Sequence, residues 1–73
     1  MVELYRSKCD LEHWLAHVPG KGWLRFPAKI GGWADRRLVT AVAPSCLDRV
    51  PAWLAFNTGL LEALEPHRLN RAA

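Results

Sequence analysis

Five cations, Lys21, Arg25, Lys29, Arg36 and Arg37, share the stretch GKGWLRFPAKIGGWADRR with Trp23 and Trp33, and they meet a single acid there, Asp35. Guanidinium and ammonium groups neutralise phosphates, and an indole gives an unpaired base a flat face for stacking, worth roughly 1–3 kcal/mol. Interleaved this closely, these residue types suit a surface for an anionic partner. Nucleic acid is the first reading. Tryptophan and arginine also dominate protein–protein hot spots, so a protein adaptor or inhibitor meeting an acidic protein surface is the alternative. Lys21, Trp23, Arg25, Lys29, Trp33, Arg36 and Arg37 form the candidate binding set. The excess charge is local: the whole chain is only +3, and the segments on either side of this stretch are close to neutral.

Cys9, His13 and His17 are spaced by four and would share one face of a helix. With Cys46 or His67 as a fourth ligand they resemble a zinc set, but structural zinc sites usually bring cysteines two to four residues apart, and this chain has no such pair. No metal site is assigned. Cys46, in PSCLDR, sits near an expected helix start, which favours a thiolate, while Asp48 opposes one and no histidine is adjacent in sequence. Paired carboxylates, a glycine-rich phosphate loop and a Ser/His/Asp pattern are all missing. The expectation is a non-enzymatic binding or regulatory module that needs no cofactor.

A chain of 73 residues makes one domain near the lower limit for folding unaided. Two cysteines are few for a disulfide-stapled secreted domain of this size. The start MVELYRSK carries Glu3 and lacks an apolar run, so it does not read as a signal peptide, and no apolar stretch is long enough to span a membrane. The expected setting is the cytoplasm, with both thiols reduced, a single disulfide being the alternative.

The elements that must position these residues follow from periodicity. VELYR alternates and predicts a strand. Ser7 then offers a helix cap, and Leu11, Trp14, Leu15 and Val18 fall at helical spacing up to the stop at VPGKG. WLRFPAKI and ADRRLVTAV predict a hairpin about Gly31-Gly32-Trp33, with Phe26 opposite Leu38 and Lys29 opposite Asp35. In that register Leu24, Phe26, Ile30 and Leu38 face inward. Trp23, Arg25, Lys29 and Arg37 face outward, with Trp33 at the tip. Pro27 marks an edge strand. Val50, Trp53, Leu54, Phe56, Leu60, Leu61, Ala63 and Leu64 form the apolar arc of a last helix, with Asn57 inside it. A polar residue in an apolar seam suits a helix–helix dimer, so Trp53, Phe56, Asn57 and Leu60 form a candidate homodimer interface.

The expected architecture is α+β, a small single domain in the order β-α-β-β-α over residues 1–66. A three-stranded antiparallel sheet, with the 36–43 strand at its centre, carries two helices on one face, and 67–73 form a polar C-terminal tail. The uncovered sheet face is then the binding surface.

Overall fold

The computed structural model describes residues 2–63; Leu64 of the expected last helix and the tail expected at 67–73 lie outside the described residues. Five strands form one antiparallel sheet: β1 Glu3–Ser7, β2 His13–Val18, β3 Gly22–Pro27, β4 Arg37–Val39 and β5 Leu47–Val50, in the spatial order β4-β3-β2-β1-β5. Among the described residues the helical part is short. It comprises 3-10 turns at Gly32–Asp35 and Pro44–Cys46, a 3-10 stretch at Ala52–Thr58, and α-helical residues at 60–63. The domain is small and α+β with an antiparallel sheet, as expected, but the sheet has five strands rather than three.

The largest departure is at residues 7–18, where a helix is expected and β2 forms instead. Trp14, Ala16 and Val18 face the core by strict alternation, while Leu15 on the opposite face is also buried. A strand covered on both sides loses the polar half of its alternation, and its apolar residues then imitate helical spacing. Leu11, counted in the helical stripe, is exposed. Ser7 does cap, but it caps a turn: Ser7 Oγ accepts the Cys9 N–H, and Asp10 Oδ1 accepts the Glu12 N–H, each at 3.1 Å. Such local bonds fold the chain back and compete with a helix.

The core lies on one face of the sheet, under the helical segments. Leu4, Ala16, Phe26, Ala55 and Leu60 are buried there, with Trp14, Trp33 and Val50 packed against them. Phe26 is held between two indoles, edge-on to Trp33 at 5.0 Å and to Trp14 at 6.4 Å between ring centroids. Aromatic pairs prefer this geometry because the positive ring edge meets the negative face.

The Gly31-Gly32-Trp33 hairpin does not form. β3 ends at Pro27, and the chain reaches β4 through the 3-10 turn Gly32–Asp35. Gly32 packs so closely on Pro27 that an added Cβ would lie 1.9 Å from the Pro27 carbonyl oxygen. β4 therefore pairs as Arg25 opposite Arg37 and Leu24 opposite Leu38, two residues from the expected register. A shift of two preserves the faces, because side chains alternate with period two. The centre of the sheet is β2, and the 37–39 strand is an edge. β3 is paired on both sides, but only Trp23 to Arg25 face β4, so Pro27 never has to donate to that strand. Leu38 and Ile30, expected inside, are exposed.

The last helix is also altered. A 3-10 helix turns in three residues, so Ala52, Ala55 and Thr58 point at the core while Trp53, Leu54 and Phe56 point away. Gly59, at φ 94°, ends that stretch in the left-handed region that favours glycine. Leu60 is fully buried in this domain's own core and so cannot serve the expected dimer interface. Asn57 is exposed rather than set in an apolar seam, and its carbonyl accepts the Gly31 N–H at 3.0 Å.

Phe26→Ala is expected to cost about 3–5 kcal/mol, enough to unfold most of so small a domain. Ile30→Ala, at a side chain 84% exposed, should stay within about 0.5 kcal/mol of the parent. Urea unfolding of the two variants checks the pair, and equal losses would contradict the observed core.

Candidate nucleic-acid interface

Cross-strand registers order the sheet face opposite the core into rows. Arg37 on β4, Arg25 on β3, Leu15 on β2, Tyr5 on β1 and Arg49 on β5 stand directly opposite one another across all five strands. The adjacent row is Val39, Trp23, His17 and Glu3. Trp23 is half-buried in a cluster with its neighbours, its ring centroid 4.8 Å from that of His17 and 5.1 Å from that of Tyr5. Glu3 anchors this cluster: its carboxylate accepts from the Tyr5 hydroxyl at 3.4 Å and lies 3.6 Å from His17 Nδ1 and 3.4 Å from Arg49 Nη2. Packed against both rings, the half-buried indole keeps part of its surface in water.

Arg25 and Arg37 are both exposed, and among the described residues neither has an ion-pair partner. Like charges directly opposite in an antiparallel pair are destabilising, by some tenths of a kcal/mol at such a site. This face therefore carries a positive pair with no salt-bridge partner among the described residues, although Arg25 is close enough to Asp10 to help lower its carboxyl, beside an aromatic platform.

The far end of the same face is covered. Consecutive strands β4 and β5 are opposite edges of the sheet, so residues 40–46 cross from one to the other. Ala41, Val42 and Ala43 of that crossing, with Leu15, Val39 and Leu47 below, line a cleft of about 180 Å³. Cys9, Asp10, His13, Arg25 and Cys46 stand around it. His13 Nδ1 lies 3.0 Å from Asp10 Oδ2, and this bond holds the Asp10 carboxyl below the usual carboxylate range. Cys9 is held above the usual thiol range, chiefly by its hydrogen bond with Cys46 and secondly by loss of hydration.

Of the seven residues the sequence nominates, the fold gathers three on this face: Trp23, Arg25 and Arg37. Lys21 is exposed in the β2–β3 turn, and Lys29 is exposed in the β3–β4 connection. Trp33, expected at a loop tip, is instead half-buried against Phe26 in the core. Arg36 stacks over the Trp33 ring at 5.1 Å and donates to the Trp33 carbonyl at 3.2 Å, so it belongs to that corner. Tyr5, His17 and Arg49 join the face without having been nominated. The alternation of VELYR already places Tyr5 opposite the core residue Leu4. Cys9, His13 and His17 do not converge: the histidines bond separate carboxylates, and among the described residues no three His, Cys, Asp or Glu are grouped to hold a metal ion. His67 lies outside the described residues. Among the described residues no helix is long and apolar enough to cross a membrane.

Comparison with protein-family models, with curated proteins and with solved structures gives no match to this chain.

Asp10 supplies a pH test. Its carboxyl is lowered in the folded state, so the ionised form stabilises the fold. That contribution is present above the unfolded aspartate value and is lost as pH falls through the lower folded value. Carboxyl NMR titration should place Asp10 below the ordinary aspartate range, and His13→Ala should return it towards that range. An ordinary value in the parent protein would contradict the Asp10–His13 bond.

Proposed function

We propose that this domain is a non-enzymatic module that binds single-stranded nucleic acid on the uncovered end of its sheet. Phosphates are met by Arg25 and Arg37, with Arg49 on the far edge strand, and a base stacks on Trp23. The observation that carries this reading is the directly paired Arg25 and Arg37, with no carboxylate within ion-pair distance among the described residues. An arrangement that weakens the folded state is retained at low cost if a polyanion relieves it. Unpaired bases can reach an indole lying on a sheet face, whereas bases stacked in a duplex cannot.

A second reading rests on Trp53 and Phe56, which are 62% and 55% exposed on the Ala52–Thr58 stretch. Large exposed aromatics close together are a protein-docking feature, and they support the adaptor reading for that corner of the domain.

Fluorescence titration with short single-stranded DNA and RNA separates the two. Saturable quenching is expected, weakening steeply with salt. Trp23→Ala should weaken binding by about 1–3 kcal/mol, and Arg25→Ala should lower the salt slope by about 0.7–1. Trp53→Ala should leave binding unchanged. If no quenching appears at low salt, or if Trp53→Ala removes it, the sheet face is not the nucleic-acid site.

A further inference from the structure

The β1–β5 ladder runs one step beyond its last strand pair. After Ser7 opposite Leu47, the Lys8 N–H donates to the Cys46 carbonyl at 2.8 Å. The next residue on β1's side is Cys9. It would leave the ladder, but Ser7 Oγ accepts its N–H and turns the chain over the face that carries the cleft. Cys46 ends the 3-10 turn Pro44–Cys46, where the crossing segment joins β5. Two cysteines far apart in sequence thus reach one rim. Both line the same cleft, the Lys8–Cys46 backbone bond holds their two segments side by side, and both are free. Cys9 is exposed to solvent and Cys46 is half-buried.

We propose that Cys9 and Cys46 form a reversible redox pair whose oxidant is a small-molecule disulfide, and that their bond pins the 40–46 crossing to the β1–β2 connection. The exposed Cys9 is reached first. Its thiolate attacks one sulfur of the small disulfide, breaking that S–S bond and releasing one small thiolate, which takes up the Cys9 proton. Cys46 then attacks the Cys9 sulfur, forms the internal bond and expels the second small thiolate, which takes the Cys46 proton. Two protein thiols are oxidised and one small disulfide is reduced to two thiols. The hydrogen bond to Cys46 favours the protonated form of Cys9, so attack proceeds through its minor thiolate fraction. The bond closes a loop over half the described chain, which restricts the unfolded ensemble. This site is independent of the nucleic-acid reading.

Oxidised glutathione is the probe, applied to the full chain and followed by mass spectrometry, thiol counting and thermal melting. The expected product is a monomer lighter by two hydrogens, with a peptide linking 9 to 46. Its Tm should rise by about 10 °C or more and return with dithiothreitol. Cys9→Ser and Cys46→Ser should each stop at one glutathione adduct with no such rise. Two stable adducts on the parent, covalent dimers, or an internal bond that leaves Tm unmoved would each overturn the assignment.

Discussion

Between Val39 and Leu47 the chain must travel from one edge of the sheet to the other, because β4 and β5 are its outermost strands. The crossing passes over the face opposite the core and covers one end of it. Leu15 is buried there, although it points away from the main core, and β2 thereby becomes a strand enclosed on both sides. Among the described residues the crossing leaves Trp23 and His17 uncovered at the other end, and the arginine row lies at the border, with Leu15 buried in its middle and Arg25 at the cleft. The cleft, the apposed thiols and the exposed platform are three consequences of that single path.

A small sheet has two faces and too few residues to cover both. Here the helical segments seal the core face: Trp33 from one turn and Ala55 and Leu60 from the C-terminal stretch close over Phe26. Trp33 serves twice, packing on Phe26 in a T-shaped pair while Arg36 lies over its ring. Two Gly-Trp pairs that look alike in sequence therefore serve different ends. Trp23 follows a glycine that opens a strand, and Trp33 follows one that lies flat on Pro27.

The local alternation of VELYR and WLRF could be read directly, and so could the sharing of one face by Trp23, Arg25 and Arg37, because even shifts in register leave faces unchanged. The strand at 13–18 could not. Its second face is buried by residues 40–46, a contact that no local window contains. β5 was hidden for a related reason: LDRV is four residues long, and it pairs with β1, which lies at the opposite end of the described chain. Tyr5 enters the candidate face through the pairing of β1 with β2, and Arg49 only through that of β1 with β5. The Cys9–Cys46 contact depends on it as well, and sequence spacing alone set these cysteines apart.

Arg37 lies on an edge strand, where a charge also deters pairing with another sheet. Either sign does that, whereas a phosphate requires the positive one. Arg37→Glu distinguishes these roles when stability and oligonucleotide affinity are measured on the same sample. The account predicts that the R37E variant, its new carboxylate matched to Arg25, melts at the parent temperature or slightly above. It should also bind single-stranded oligonucleotide about tenfold more weakly, or worse, at low salt. An unchanged affinity in a fully folded variant would contradict the account.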